Sequence, residues 1–318
     1  MSLPELVWNK GIAALCDWRI PDEFPNGRNY SHSPVLSSHG FSLDIPDMIE
    51  DPESYRIRNG DLVWVRVSWL GSFIRQVLPL VNSRFVLVTG DSDNMVPGHI
   101  GPTARTILTD ERVIRWFAQN CHGLMERLRP LPIGIDFHTV SEKPYWGEPM
   151  SSAAEQESKL NAIAASLPPV ESRVRQVYLD FRVHSSRYGG REVIAEQLKT
   201  NPLAFCEPTQ LSRSGSWRAR GEFAFVVSPH GNGLDCHRTW EALALGHIVL
   251  VPTSPLDRLY IGLPVVSIKE WTDVTPENLE LWLEMYGPLT RRTARLTSRW
   301  WVEQMRIAAD RALMGIYS

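Results

Sequence analysis

The sequence lacks several features that define whole classes of protein. It has only four cysteines, Cys16, Cys121, Cys206 and Cys236, which lie far apart and form no C-x-x-C pair. This spacing argues against a disulfide framework and against a zinc site. The simplest compartment for such a chain is a reducing one, so we predict a cytoplasmic protein.

Long apolar segments are also missing. No stretch reaches the roughly 18 uninterrupted apolar residues that a membrane span requires. The first eighteen residues, MSLPELVWNKGIAALCDW, contain charges and tryptophans within any apolar run, so we expect neither a signal peptide nor a membrane anchor. With 33 Lys and Arg against 36 Asp and Glu, the net charge of −3 provides no general attraction to nucleic acid or to anionic membranes.

The length and composition are those of an ordinary globular protein with two domains. The chain has 318 residues, 43% of them hydrophobic and 22% charged. Two domains of this size can each bury a core of their own.

One stretch, Phe223–Pro252, carries the strongest local pattern. It predicts a buried strand at Phe223–Ser228, a turn with Gly231 and Gly233, a short helix and a second buried strand at Ile248–Val251. We expect Asp235 to cap the helix and Gly246 to end it. In parallel sheets ligands bind at the carboxyl ends of strands, which is where the polar residues of this unit are concentrated.

The turn and helix have the residues that a nucleotide requires. Gly231 and Gly233 allow close approach to the backbone, and the helix presents free N–H groups to a phosphate. Arg238 and Glu241 are three residues apart and share a helix face, so Arg238 can bind phosphate oxygens while Glu241 accepts hydrogen bonds from ribose hydroxyls. The alternative is an ordinary helix pair beside a glycine turn.

The run S-P-H-G-N-G-L-D-C-H-R-T-W-E-A-L-A-L-G-H-I-V-L-V resembles the nucleotide-sugar-binding half of the exostosin-like glycosyltransferases. In that family an arginine and a glutamate on this helix, followed by a glycine, serve the nucleotide and ribose of the donor. The positions here are Arg238, Glu241 and Gly246. The resemblance is good from about Tyr178 to Trp271, so it concerns the donor and hardly the acceptor.

The pattern of the first half predicts a small α/β domain. We expect strands at Leu62–Trp69, Arg84–Thr89 and Arg129–Gly134, and helices at Pro4–Cys16, Phe73–Leu80, Thr109–Gln119 and Ala153–Ser166. Leu167–Pro169 is the predicted linker, which gives an acceptor-side domain at 1–168 and a donor-binding domain at 169–318.

The second domain opens with a predicted strand at Arg175–Arg182, a polar turn and a helix at Arg191–Lys199. The turn resembles the family segment that lies against the donor diphosphate, through Phe181, Arg182, Gly189 and Gly190. Arg182 and Arg187 are candidates for neutralising the leaving nucleotide, or are surface residues. The segment Ser212–Arg220 is either an anion ligand or a mobile loop. Further on we predict a strand at Leu263–Lys269, a helix at Pro276–Met285 capped by Thr275, and a helix from Leu289 to the end. The resemblance implies that this last helix crosses back onto the first domain.

These features together predict an α/β fold with two facing Rossmann-like domains, the arrangement called GT-B. The predicted function is transfer of a sugar from a nucleotide-sugar to a glycan or other hydroxyl acceptor, as in polysaccharide biosynthesis. The resemblance implies an inverting reaction without a metal or another cofactor. The predicted donor-binding residues are Arg182, Arg187, Ser228, His230, Gly231, Asn232, Gly233, Asp235, Arg238 and Glu241.

The general base has four candidates, Asp91, Asp93, Asp136 and His138, all near the predicted carboxyl ends of strands in the first domain. Each also has a structural interpretation, such as an Asx turn or a backbone contact. Tyr30, His32 and His39 are further residues that an acceptor could contact, and Trp69, Trp146 and Trp217 are candidates for stacking on a sugar ring.

Two other functions remain open. The run V-L-V-T-G-D-S-D resembles the D-x-D of metal-dependent glycosyltransferases, in which two carboxylates hold a divalent cation on the diphosphate. A non-catalytic protein that binds nucleotide or carbohydrate on the same fold is the other alternative.

Overall fold

The computed structural model describes residues 3–20, 56–123, 125–183, 187–188, 190–291 and 293–316. The chain divides into two compact units, Met1–Ile133 with Thr297–Ser318, and Gly134–Leu296. The predicted linker Leu167–Pro169 lies inside the second unit, and the division falls earlier, after Ile133. Some predicted residues lie outside the described ranges: Tyr30, His32, His39 and Gly189.

The first unit is built on a five-stranded parallel sheet whose strands follow one another in chain order. Every residue of the third and fourth strands is buried, as expected for parallel strands that are covered on both faces. The strands are β1 Trp18–Ile20, β2 Leu62–Arg66, β3 Phe85–Gly90, β4 Val113–Gln119 and β5 Leu128–Leu131.

Strand β4 corrects the helix that the sequence predicted at Thr109–Gln119. The start signal at Asp110 forms a turn instead, in which its carboxylate accepts hydrogen bonds from the backbone and guanidinium of Arg112. The segment that follows is rich in β-branched and aromatic residues, which suit a strand buried on both faces. Burial in the sheet therefore outweighed the local helix signal.

The helices of the first unit begin with α1 Asn9–Leu15, α2 Leu70–Ser72 and α3 Gly101–Thr109. The first confirms the helix predicted within Pro4–Cys16. The second continues into helical turns at Phe73–Val77 and Leu78–Leu80, which confirms the predicted helical segment there.

The second unit has its own five-stranded parallel sheet, with the strand order β10-β9-β8-β6-β7. The four strands predicted in this part are confirmed, with ends that differ by a few residues. The bounds are β6 Val174–Leu179, β7 Ala204–Phe205, β8 Phe223–Val227, β9 Ile248–Pro252 and β10 Val265–Ile268. Two parallel sheets with helical connections confirm the predicted α/β fold class.

The helices of the second unit are α4 His138–Glu142, α5 Ala153–Ser166, α6 Arg191–Lys199, α7 Arg213–Arg220, α8 His237–Ala244 and α9 Pro276–Tyr286. Two of them, α5 and α6, have the predicted bounds. Thr275 caps α9 as predicted, because its side chain accepts a hydrogen bond from the backbone of Asn278.

The last helix, α10 Ser298–Leu313, belongs to the first unit. It starts later than predicted, because Gly287–Thr290 and Ala294–Leu296 form separate short turns. Arg306 of α10 donates to the carboxylate of Asp17, with Nη2 2.7 Å from Oδ1. Among the described residues, no helix has both the length and the apolar composition needed to cross a membrane.

Candidate functional site

The strand order of the second unit reverses between β6 and β8. From β6 the chain places β7 on one side and β8, β9 and β10 on the other, which is a doubly wound arrangement. The loops after the two central strands diverge at such a switch point and leave a crevice, in which ligands bind. The described strands of the first unit run in chain order without a reversal. We therefore locate the candidate site in the second unit, at the ends of β6 and β8.

The loop after β8 is held in a fixed shape. The hydroxyl of buried Ser228 lies 2.8 Å from that of Thr239 on α8, so the end of β8 is tied to the helix. The backbone N–H of Gly231 donates to the carbonyl of Gly233 at 2.9 Å. The His230 ring donates from Nδ1 to the carbonyl of Leu234 at 2.8 Å, and burial lowers the pKa of that ring. Asn232, in contrast, is exposed.

Two arginines contact this loop from two different helices. Arg191 is the first residue of α6, and its Nε donates to the carbonyl of His230 at 2.9 Å. Arg238 is in the first turn of α8, and its Nη2 donates to the carbonyl of Pro229 at 3.1 Å. Burial lowers the pKa of Arg191, and the nearby positive charge of Arg238 lowers it further. Two like charges at two helix N-termini create a positive potential that favours an anion.

Gly231 is the residue that lets Arg191 lie against the loop. A Cβ atom at position 231 would be 3.1 Å from Nη2 of Arg191 and 3.3 Å from Sγ of Cys236. A larger residue would therefore push the guanidinium away. The predicted need for glycine at this position has a specific cause, namely the close approach of an arginine.

Arg191 was not among the residues predicted from the sequence to bind the donor. Two nearby arginines, Arg182 and Arg187, were predicted instead. Arg182 and Arg187 are both exposed, and the carbonyl of Arg182 accepts a hydrogen bond from Arg191 at 3.4 Å. The signal that would have found Arg191 is its position directly after Gly190, which caps α6 with a φ of 85°. The first helical residue after a glycine turn lies beside the end of the preceding strand.

Glu241 does not pair with Arg238. Its Oε1 accepts hydrogen bonds from Nε and Nη2 of Arg213, at 3.0 and 2.6 Å. Its Oε2 accepts from the indole of Trp217 at 2.9 Å and from Arg220 at 3.3 Å. Burial by itself would raise the pKa of Glu241, but the charges of Arg213 and Arg220 and these hydrogen bonds hold it below the ordinary value. A ribose hydroxyl would have to compete with these donors.

The basic segment predicted as a loop or anion ligand is helix α7, which Ser212 caps by accepting from the backbone of Gly215 at 3.1 Å. Arg213 also donates to the backbone carbonyl of Asp136 at 2.6 Å and to the side chain of Gln156 at 2.9 Å. Arg220 is fully buried and also bonds to Asp180. These buried arginines bind groups of the protein itself. The segment is therefore a helix that packs against and supports α8, and not a mobile loop.

Asp235 does not cap helix α8, which begins after Cys236 without a side-chain cap. The Asp235 carboxylate is buried, and it accepts hydrogen bonds from the indole of Trp240 at 3.0 Å and from the hydroxyl of Tyr260 at 3.1 Å. Burial raises the pKa of Tyr260 well above its ordinary value, and the charge of Asp235 adds to this effect, so the hydroxyl keeps its proton. The contacts therefore point to a packing role for Asp235.

Asp136 and His138 lie in the second unit, where the structure brings them together with a third residue, His237. Nδ1 of His138 is 3.0 Å from Oδ1 of Asp136, and the two imidazole rings have centroids 5.7 Å apart. Burial alone would raise the pKa of Asp136, but His138, His237 and Arg213 hold it far below its ordinary value. His237 was not among the predicted residues, because it is 99 positions beyond His138 in the sequence.

The other two predicted bases belong to the first unit. Asp91 has a φ of 55°, and its carboxylate forms an ion pair with Nε of Arg66 at 2.7 Å. Asp93 is exposed. A metal at the D-x-D motif would have to share the carboxylate of Asp91 with Arg66.

Of the three tryptophans predicted to stack on a sugar, Trp217 is buried and bonded to Glu241. Trp69 and Trp146 are partly exposed. Trp146 has a φ of 49°, and the guanidinium of Arg213 lies 5.3 Å from the centre of its ring.

These features define the class of protein to which the chain belongs. It is an α/β protein in which two arginines and a glycine loop line the switch point of a doubly wound sheet.

No protein-family model matches the chain, and no curated protein matches it. Among solved structures, an apo structure of OtsA aligns with it at 11% identity, over 87% of this chain and 76% of that chain, with a TM-score of 0.41. Another, described as trehalose-6-phosphate from E. coli bound with UDP-2-fluoro glucose, aligns at 10% identity over 86% of this chain and 76% of that chain, with a TM-score of 0.39. Similarities this weak do not define a family, and the residues of the site are therefore the better indication of function.

Proposed function

We propose that the second unit binds a nucleoside-diphosphate sugar and that the protein is a glycosyltransferase of the GT-B type. The observation that carries this proposal is the pair Arg191 and Arg238, which meet on the loop after β8 at the switch point of the sheet. The resemblance of the same stretch to exostosin-like enzymes supports a sugar nucleotide as the ligand.

The diphosphate is the part of the donor that this site fits best. Its negative charge would lie between two guanidinium groups and at the N-termini of α6 and α8, because the first N–H groups of a helix have no acceptor within the helix itself. Arginine binds phosphate oxygens with two parallel hydrogen bonds, which fixes orientation as well as charge. The glycine at position 231 keeps the backbone accessible beside Arg191.

We assign Glu241 to the support of this site and not to the ribose. Both of its oxygens already accept hydrogen bonds from buried donors on α7. The carboxylate therefore holds α8, and with it Arg238, in position. Ser228 contributes to the same end by linking β8 to α8 through Thr239.

In the proposed reaction an acceptor hydroxyl attacks the anomeric carbon from the side opposite the diphosphate, the bond to the diphosphate breaks, and the hydroxyl proton passes to a general base. Arg191 and Arg238 would stabilise the negative charge that develops on the departing diphosphate. This is the role that a divalent cation has in D-x-D enzymes. We therefore propose that binding of the diphosphate does not need a metal, and that the reaction inverts the anomeric centre.

The test is thermal-shift titration with UDP, GDP, CMP and dTDP and with their sugar conjugates, with and without a chelator. A ligand that binds only the folded state stabilises it by roughly 2.7 kcal/mol at a hundredfold excess over its dissociation constant. Arg191→Ala and Arg238→Ala should each weaken binding by about tenfold to a hundredfold, because each removes charge-assisted hydrogen bonds worth about 1.5–3 kcal/mol. Arg218→Ala is the matched control, since Arg218 is an exposed arginine on α7.

Binding of one nucleotide class that resists the chelator and is weakened at least tenfold in both site variants would support the donor site. Turnover of the matching sugar nucleotide by the wild-type protein would then establish transfer, whereas tight binding without turnover would favour the non-catalytic alternative. Binding that requires a metal and is lost in Asp93→Ala, but not in Arg191→Ala, would favour the D-x-D alternative and refute our proposal.

A further inference from the structure

A cluster of two imidazoles and one carboxylate lies in the second unit, formed by Asp136, His138 and His237. One ligand atom from each of the three lies within 4.8 Å of the other two. We propose that this cluster binds a divalent transition metal, with zinc as the preferred ion. The inference is independent of the proposed transferase function.

The hydrogen bonds of His237 leave the correct nitrogen for a metal. Its Nδ1 lies 2.7 Å from the carbonyl oxygen of Gly134, and a carbonyl can only accept. Nδ1 therefore carries the proton, and in the neutral ring Nε2 carries the lone pair. Metal-binding histidines commonly donate their other N–H to a backbone carbonyl in this way, which fixes both tautomer and ring orientation.

The carboxylate of Asp136 is oriented in a comparable manner. Its Oδ1 accepts from the backbone N–H of Thr139 at 2.9 Å, and its Oδ2 accepts from the Thr139 hydroxyl at 2.8 Å. His138 lies on the same short segment, with Nδ1 3.0 Å from Oδ1. Two of the proposed ligands, Asp136 and His138, are thus two positions apart in the sequence. The third, His237, comes from the start of α8.

The nearest permanent cation does not oppose a metal at this place. Arg213 donates to the backbone carbonyl of Asp136, but its charge is balanced by Glu241, with Nη2 2.6 Å from Oε1. The three proposed ligands would contribute one negative charge to a doubly charged ion. A metal here would be favoured by the carboxylate and not repelled by an unbalanced arginine.

Two imidazole nitrogens and one oxygen identify the class of metal. Calcium and magnesium prefer oxygen ligands, whereas zinc binds histidine and carboxylate with three protein ligands and one open position in many catalytic sites. With bonds of about 2.1 Å, a tetrahedral ion would draw the ligand atoms to roughly 3.4 Å from one another. The observed separations are close to this value, with His138 Nδ1 3.0 Å from Asp136 Oδ1 and the three ligand atoms within 4.8 Å of one another.

The proposed metal site is different from the two kinds of metal site considered from the sequence, a cysteine-based zinc site and the D-x-D motif. The absence of a C-x-x-C pair concerns cysteine ligands only, and the D-x-D residues Asp91 and Asp93 belong to the first unit. A metal held by Asp136 and His138 would also remove these two residues from the candidates for the general base.

The experiment measures metal binding directly and without nucleotide. Wild-type protein is dialysed against Zn²⁺ and its metal content is determined, and Co²⁺ is titrated in a parallel sample while the visible absorption is recorded. We expect one Zn²⁺ per chain, and an intense Co²⁺ spectrum typical of coordination numbers below six. His237→Ala and His138→Ala should each weaken Zn²⁺ binding by at least tenfold, with circular dichroism showing that the fold is kept.

The matched control is His122→Ala, since His122 is an exposed histidine of the first unit, and it should bind Zn²⁺ as the wild type does. If His237→Ala does not fold, His237→Gln serves in its place. Absence of stoichiometric Zn²⁺ and of the Co²⁺ spectrum in the wild-type protein would overturn the proposal. So would tight binding that persists in both histidine variants. Neither result would bear on nucleotide binding, which the arginine variants test separately.

Discussion

Replacing Glu241 by glutamine should strongly destabilise the second unit. The substitution keeps the size of the side chain but removes the negative charge that faces Arg213 and Arg220, both of which are buried. Arg220 keeps Asp180 as a partner, whereas the other acceptors of Arg213 are a neutral amide and a backbone carbonyl. Breaking a buried ion pair on one side costs about 3–5 kcal/mol.

The assay is thermal unfolding at pH 7, followed by circular dichroism. Each kcal/mol lowers the melting temperature of a domain of this size by about 2–4 °C, so the loss in Glu241→Gln should be roughly 6–20 °C. The control is Glu280→Gln, which breaks the ion pair between Arg175 and Glu280. Both of these side chains are more than half exposed. Exposed pairs contribute about 0–1 kcal/mol, so this control should lose only a few degrees.

A second variant tests whether the effect arises from the pair itself. In the double variant Glu241→Gln with Arg213→Met, the unpaired buried charge at position 213 is gone, so the double variant should be more stable than the sum of the single losses predicts. Strictly additive losses would contradict the reasoning, as would a loss in Glu241→Gln no larger than in Glu280→Gln. The same result explains why loss of nucleotide binding in a Glu241 variant cannot by itself identify a ribose contact.

Two further predictions concern stability elsewhere in the second unit. Burial, followed by the charges of Arg173 and Arg220, lowers the pKa of His247 well below 6.5, so only the unfolded chain gains this proton as the pH falls below 6.5. The free energy of unfolding should therefore drop by up to about 1.4 kcal/mol per pH unit in that range. The melting temperature should differ less between pH 5.5 and pH 7.5 in His247→Asn than in the wild type. An equal difference in the two proteins would contradict this explanation. Gly246→Ala should lower the free energy of unfolding by about 1–2 kcal/mol, because Gly246 has a φ of 75°. The control is Gly98→Ala, at a glycine whose φ is not positive, and it should change the free energy of unfolding by less than about 0.5 kcal/mol. Equal losses in the two alanine variants, measured by denaturant unfolding, would count against backbone strain as the cause.

The alternation of elements in the second unit was predictable because its signals are local. Helices α5 and α6 have the predicted bounds, and Thr275 caps α9 as its position before a proline and an apolar run indicates. The buried strands β8 and β9 stand out as short apolar runs between glycines and polar residues. From such a pattern the sequence predicts a parallel sheet, and the loop after β8 as its functional end.

Local signals were not enough where burial decided the outcome. The segment Val113–Gln119 follows a good helix start, yet it forms a fully buried strand because its aromatic and β-branched residues fill the centre of a sheet. The segment Ser212–Arg220 is strongly basic and was interpreted as a loop or an anion site. It is a helix whose arginines are buried against Glu241 and Asp180.

The sequence by itself determined the class of the fold and the order of most elements, and it predicted a ligand site at the glycine loop with Arg238. Only the tertiary structure decided which side chains meet. Arg191 contacts a loop 39 residues away, Arg213 is bonded to Glu241 28 residues further on, and His237 joins Asp136 from 101 positions further along the chain. Periodicity and capping depend on neighbours within a few positions, whereas the partners of a charged side chain depend on how strands are ordered in the sheet. That order brings the arginine pair to one loop.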